Sequence, residues 1–129
     1  MKYSIVIPTF NHCDDLLHPC VDNLLKYSDL SNLELIVVAN GCTDNTKYYL
    51  DTLTNLASRI GYKEHIRYIW SDEPLGFAKA TNQGIKASTG SRVVLLNNDA
   101  HLIEQGKDWW LRLLEQPFLD DPNCGISGS

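Results

Sequence analysis

Three short polar segments each follow an apolar run: Pro8-Thr9-Phe10-Asn11, Ala39-Asn40-Gly41 and Asn97-Asn98-Asp99. In an open parallel sheet, ligands bind beyond the carboxyl ends of the strands, so three parallel strands would bring these segments to one rim. Asp99 directly follows a nearly all-apolar strand pattern and is the best-placed carboxylate of the set. A hard cation such as Mg²⁺ or Mn²⁺ often takes one or two carboxylates and fills its shell with substrate phosphate oxygens. The common glycine cradles for phosphate are missing. No G-x-G-x-x-G follows a strand, no G-x-x-x-x-G-K-[ST] occurs, and the Gly76 to Gly84 stretch carries Lys79 at the wrong spacing. A phosphate ligand therefore needs another partner, and a cation on Asp99 is the natural one.

The elements that must hold these segments alternate between short apolar runs and longer helical patterns, the signature of a sheet with crossover helices. The first strand is Tyr3 to Ile7, stopped by Pro8. Leu16, Leu17, Cys20, Val21, Leu24 and Leu25 recur at helical spacing, with Pro19 either kinking that helix or starting it late. Leu33 to Val38, continuing towards Ala39, is the second strand. A helix carrying Tyr48, Tyr49, Leu50, Leu53 and Leu56 ends near Gly61. Ile66 to Trp70 is the third strand, and a helix from about Phe77 to Ala87 stops at Gly90. Arg92 to Leu96 is so apolar that it reads as a central parallel strand buried on both faces. A last helix runs from Lys107 to about Glu115, and Gly125-Ile126-Ser127 begins a fifth strand.

A chain of 129 residues makes one domain, 1–129, large enough for a core of its own. The net charge of −5 argues against a general nucleic-acid binder, which needs a basic face. No apolar run approaches the ~18 residues of a membrane span, and the first residues lack a signal-peptide pattern. Cys13, Cys20, Cys42 and Cys124 form no C-x-x-C pair. They read as free thiols in a reducing cytoplasm rather than a disulfide framework or a zinc site.

Each candidate also has a plain structural reading. Asp99 could cap a turn, although its place after a strand favours a metal. Asn40-Gly41 is a turn former as readily as a ligand contact. Asp44 reads as a helix cap and Asn82 as a loop brace. Of Trp109 and Trp110, at least one belongs to the core rather than stacking on a sugar. Lys79 and Lys86 fit a solvated helix face. The four histidines share no metal-site spacing, and only His101, close after Asp99, merits attention.

Taken together, the segments resemble a known family. Ser4-Ile5-Val6-Ile7-Pro8-Thr9-Phe10-Asn11 resembles the first strand and turn of family-2 glycosyltransferases of the GT-A fold. Val38-Ala39-Asn40-Gly41-Cys42-Thr43-Asp44 is similar to that family's V-D-[DN]-G-S-x-D loop. The run from Gly76 to Ile85 resembles its G-[LF]-x-x-A-x-N-x-G-[IL] helix, and Leu95-Leu96-Asn97-Asn98-Asp99 the strand that delivers its D-x-D metal motif. Each motif alone is weak; four in the family's order and spacing are strong.

The resemblance implies an α/β, Rossmann-like GT-A sheet, open and mostly parallel, with helices on both faces and incomplete at its carboxyl end. It implies that Pro8 and Thr9 line a nucleotide base pocket, that Asn40 faces the base, and that Gly76 lies in a loop closing over the nucleotide. Asn11 and Asn98 join these nucleotide-binding positions. Asp99 and Asn97 take the two D-x-D positions, with Mn²⁺ or Mg²⁺ as the metal. Two departures stand out: Ala39 replaces an acid, and Asn97 turns D-x-D into N-x-D, keeping an oxygen but losing a charge. The N-N-D variant is similar to that of a rhamnosyltransferase-like branch. The implied reaction moves a sugar, with inversion, from a UDP- or dTDP-sugar to a glycan or lipid-linked acceptor hydroxyl, in cell-envelope polysaccharide biosynthesis in the cytoplasm. In the family, the general base comes after the fifth strand, so this chain alone is expected to be inactive or weak. The rival readings are a non-catalytic binding module and a sugar-phosphate nucleotidyltransferase. The latter's glycine- and arginine-rich loop is missing after the first strand.

Overall fold

The runs Tyr3–Thr9, Leu33–Asn40, Ile66–Ser71 and Arg92–Leu95 form strands β1 to β4 in a computed structural model, which describes residues 1–128. All pairings are parallel, and the order across the sheet is β3-β2-β1-β4. Helices α1 (His18–Lys26), α2 (Thr46–Arg59) and α3 (Phe77–Ala87) connect the strands in turn, and α4 (Trp109–Asp120) follows β4. Right-handed crossovers set the layers. The chain steps one way from β1 to β2 to β3, which puts α1 and α2 on one face. It then travels back past β1 to β4, which puts α3 on the other.

Alternation along β1 and β2 feeds both layers. Ile5, Ile7, Leu35 and Val37 pack under Cys20, Val21 and Leu24 of α1, Leu50 of α2, and Trp110 and Leu111 of α4. Val6, Ile36 and Val38 face Ala80 of α3. That helix lies so close to the sheet that a Cβ on Gly84 would stand 2.3 Å from Val6 Cγ1. Only glycine fits there without moving the helix.

Pro8 does not stop β1, which runs on to Thr9 with Pro8 in register with Val38. The carbonyls of Lys2 and Val6 accept from the amides of Arg92 and Leu96, so even-numbered residues turn their backbone groups towards β4. Pro8 falls on that side past the end of β4, where its missing N–H leaves no ladder bond unmade. Nor is β4 central. It is the edge of the described sheet, and Val93 and Leu95 are 42% and 52% exposed. The apolar run predicts cover on both faces, but α3 packs against β1 and β2.

Pro19 sits in the first turn of α1, so it starts the helix; a π-helical turn, Cys13–Leu17, precedes it. The last helix begins at Trp109 rather than Lys107, because Asp108 takes a left-handed backbone (φ 64°). That turn is held by its carboxylate, which accepts from the Asp29 amide at 2.7 Å. The helix then passes Glu115 and continues to Asp120, with Pro117 removing one helical bond but not ending it. Residues 125–128 form no strand. Asn82 is no brace: it is exposed, because Ala80, Thr81 and Gly84 are the residues α3 turns to the sheet.

Candidate functional site

Chain order and spatial order part company between β1 and β4. A crevice at the carboxyl ends of the strands is expected at such a switch point. A cavity of about 360 Å³ opens there. Its walls come from the end of β1 (Pro8, Thr9, Phe10), the end of β2 (Asn40) and the segment after β4 (Asn97, Asn98, Asp99). His12, Leu16 and Phe77 complete it.

Hydrogen bonds fix several of these groups. Buried Thr9 accepts, through Oγ1, from Asn98 Nδ2 at 3.1 Å, which ties the β1 and β4 ends together. Asn40, also buried, accepts from the Leu75 amide through Oδ1. This bond must use the oxygen, since Leu75 is the donor, so it leaves the Asn40 Nδ2 donor unused. The Leu75 anchor leads into Gly76, whose φ of 80° and ψ of 161° only glycine adopts readily. Through that turn the chain enters α3 and brings Phe77 to the cavity wall.

Of the residues singled out from the sequence, Pro8, Thr9, Asn40, Asn97, Asn98 and Asp99 line the cavity, whereas Asn11 and Gly76 do not. Asn11 braces the neighbouring loop instead. Its Oδ1 accepts from the amides of Thr43 at 2.7 Å and Asp44 at 3.2 Å. Asp44 is a cap, accepting from the amides of Cys13 and Thr46, both at 3.1 Å. Trp110 is core, donating to Ser28 Oγ at 2.9 Å, while Trp109 is exposed. Sequence reasoning did not single out Phe10, Phe77, His12 or Leu16 as site residues. The two phenylalanines adjoin residues that were singled out, so neighbourhood was a usable signal. His12 reaches the wall through an unusual backbone turn that its residue type does not announce.

The electrostatics are sparse. Asp99 is exposed and takes part in none of the ion pairs among the described residues. Those residues also contain no group of three or more His, Cys, Asp or Glu side chains that could hold a metal. They therefore offer no cage of such side chains around an ion. A hard cation resting on one carboxylate, with the Asn97 oxygen nearby and the remaining positions left to a ligand, fits the residues present. Burial pushes the Cys13 and Cys20 thiols up to about 11, which removes both as nucleophiles near neutral pH.

The fold has known counterparts. The family model described as glycosyl transferase family 2 matches residues 4–126. The chain belongs to this family and has its GT-A fold. It is 31% identical to an uncharacterized protein, y4gI, from Sinorhizobium fredii, over 98% of this chain and 13% of that protein. It is 29% identical to the glycosyltransferase GlyG of Streptococcus pneumoniae, over 74% of this chain and 29% of that one. Among solved structures, it superposes on the mannosyltransferase PcManGT from Pyrobaculum calidifontis, in complex with GDP-Man and Mn²⁺. The TM-score is 0.73 at 24% identity, covering 96% of this chain and 34% of that one. S. aureus TarS 1-349 in complex with UDP gives a TM-score of 0.69 at 19% identity, covering 100% and 39%. These likenesses show the fold, and the chain spans a third or less of the first curated relatives it matches.

Proposed function

We propose that this domain is the donor half of a glycosyltransferase, holding a nucleoside-diphosphate sugar in the β1/β4 cavity. The observation that carries this reading is the meeting of Thr9, Asn40 and Asp99 at one cavity on the carboxyl rim of the sheet. Asn40 offers a donor to a base, and Phe10 and Phe77 offer exposed apolar faces for a flat ring. Asp99 and Asn97 would hold Mn²⁺ or Mg²⁺. When bound, such an ion neutralises charge on a departing diphosphate. Support for a nucleotide and a metal comes from the UDP and GDP-Man/Mn²⁺ complexes of the structural neighbours.

In this reading, the base is uracil or thymine and transfer to an acceptor hydroxyl inverts the sugar. The acceptor is a glycan or a lipid-linked saccharide of the cell envelope, and the setting is cytoplasmic. Among the described residues no helix is long and apolar enough to cross a membrane. The chain alone is proposed to be inactive or weak, because inversion needs a base within hydrogen-bond reach of the acceptor hydroxyl. Asp99, the carboxylate on the cavity wall, is already assigned to the metal.

The test is a thermal-shift panel of nucleotides and sugar nucleotides with and without Mn²⁺. UDP or dTDP with Mn²⁺ is expected to stabilise the chain, by ~2.7 kcal/mol at a hundred times the dissociation constant. Asp99→Asn is expected to remove the metal-dependent part, and Asn97→Asp to retain or strengthen it. No shift with any nucleotide at millimolar ligand and metal would sink the donor-site reading.

A further inference from the structure

We propose that the groove where α2 overhangs β3 is a second binding site of this domain, and that it takes a carboxylate-bearing sugar unit of a glycan. It shares no lining residue with the β1/β4 cavity and does not depend on the nucleotide reading.

Helical spacing builds one wall. Thr46, Leu50 and Ala57 are the residues α2 buries. Lys47, Asp51, Thr54 and Ser58, spaced four, three and four apart, form a polar stripe beside them. Because β3 is an edge of the described sheet, that stripe overhangs the strand with no further described strand beyond it. Alternation turns Ile66, Tyr68 and Trp70 towards α2, where they pack on the core. Towards Trp70 the chain fills the groove itself. Lys47 Nζ lies 5.1 Å from the centre of the Trp70 ring and 5.8 Å from that of Tyr68, and Asp51 accepts from the Tyr68 hydroxyl. Towards Ile66 about 350 Å³ stays open, between Thr54, Asn55 and Ser58 of α2, Ile66 and Tyr68 of β3, and Lys63 in the turn before that strand. This volume lies at the low end of the roughly 300–1,000 Å³ of small-ligand pockets, so it suits a single sugar unit.

The charged groups around this opening are unevenly engaged. Asp51 is held by Tyr68. Arg67, also on the wall, donates through Nη2 to Glu34 Oε2 at 3.1 Å and to the Ala87 carbonyl. Lys63, by contrast, is exposed and takes part in none of the ion pairs among the described residues, nor does Glu64 beside it. No acid lines the pocket, in a chain that carries 16 acids against 11 bases. One uncommitted ammonium on a flexible stem calls for one negative group within its reach. Asn55 and Ser58 are exposed on the same wall, with no side-chain hydrogen bond to another described residue. An amide and a hydroxyl each donate and accept, as the hydroxyls of a sugar require. Ile66 and Tyr68 add apolar surface for the C–H face of a ring. A single cation, paired donors and acceptors and an apolar floor match an acidic sugar, in a chain whose family transfers sugars.

Amide NMR of the chain, titrated with glucuronic acid at neutral pH, tests this, with glucose and acetate as the two halves of that ligand. Glucuronate is expected to shift amides of residues 54–58 and 63–68 saturably and to leave those of Thr9, Asn40 and Asp99 in place. Glucose and acetate should each bind more weakly. Lys63→Ala is expected to weaken glucuronate roughly fivefold, the scale of one exposed ion pair, and to leave glucose unchanged. Lys63→Arg should keep most of the affinity, and Asn55→Ala with Ser58→Ala should weaken both sugars. No saturable shift in the α2/β3 segments with millimolar glucuronate overturns the inference. So does glucose or acetate binding as tightly as glucuronate, or a Lys63→Ala chain that matches wild type. UDP with Mg²⁺, added to the same samples, reads the donor cavity through Thr9, Asn40 and Asp99, so either site can fail while the other stands.

Discussion

At the amino end of the sheet Glu34, 1% exposed, accepts from Ser4 Oγ at 2.7 Å, the Thr89 amide at 2.6 Å and Arg67 at 3.1 Å. Nearby, Glu115 accepts from Lys2 at 2.7 Å, Tyr3 at 3.2 Å and Arg92 at 3.3 Å, clamping α4 to β1 and β4. At the carboxyl end Asp99 stands exposed outside any ion pair among the described residues, beside the left-handed turn of Asn11 and His12. The same sheet thus has one end where buried carboxylates are answered by donors and one where a carboxylate is left open. Burial raises the Glu34 carboxyl, but the hydrogen bonds from Ser4 and Thr89 with Arg67 outweigh it and hold it below its ordinary range. The Lys2 hydrogen bond leads in lowering Glu115, against a smaller effect of burial. Answered carboxylates stabilise the fold, and an unanswered one on a cavity wall is available to a ligand.

That contrast can be broken from either side. Glu34→Ala strands Ser4, the Thr89 amide and Arg67 together, and is expected to cost about 3 kcal/mol in urea unfolding. A loss under about 1 kcal/mol would mean the amino-end network contributes little. Gly84→Ala forces a methyl group onto Val6 and is expected to cost about 2 kcal/mol through the α3 contact. The same measurement checks it, and a neutral result would show that α3 can slide on the sheet.

Glu115→Gln sharpens the comparison through pH. Both depressed carboxyls contribute fully above their ordinary value of 4.5, and the contribution is lost as pH falls through their lower folded values. Glu115→Gln should therefore lose about 1 kcal/mol at neutral pH and show a shallower loss in acid. Parallel acid profiles for the two chains would contradict it. Asp99→Asn should change unfolding of the ligand-free chain least, by under about 0.5 kcal/mol, because its charge has no ion-pair partner among the described residues. Unfolding by that single change would turn Asp99 into a structural cap and erase the difference between the two ends.

Much of this was legible in the residues. The Leu33 to Val38 run announces a buried strand, and Phe77 to Ala87 before Gly90 announces a helix; both are present within a residue or two of their expected ends. The rim residues Thr9, Asn40 and Asp99 could be named because each follows such a run. What failed, failed for non-local reasons. Pro8 looked like a stop until the end of β4 left its missing amide unopposed. Arg92 to Leu96 looked central, since apolarity reports that cover is needed and not where it comes from. Asn11 looked like a ligand contact, yet its amide is taken up by Thr43 and Asp44, thirty-odd residues away in the chain.

The sequence by itself determined the alternation of strands and helices, the polar character of three strand ends, and the exclusion of the common phosphate loops. These depend on periodicity and residue type, which are properties of neighbours in the chain. Only the tertiary structure decided the strand order, the switch point between β1 and β4, and the division of Glu34, Glu115 and Asp99 into answered and open charges. It also decided that His12 rather than Asn11 faces the cavity. Each of these depends on which distant segments meet, and so on packing and hydrogen bonds between parts of the chain that no local pattern records.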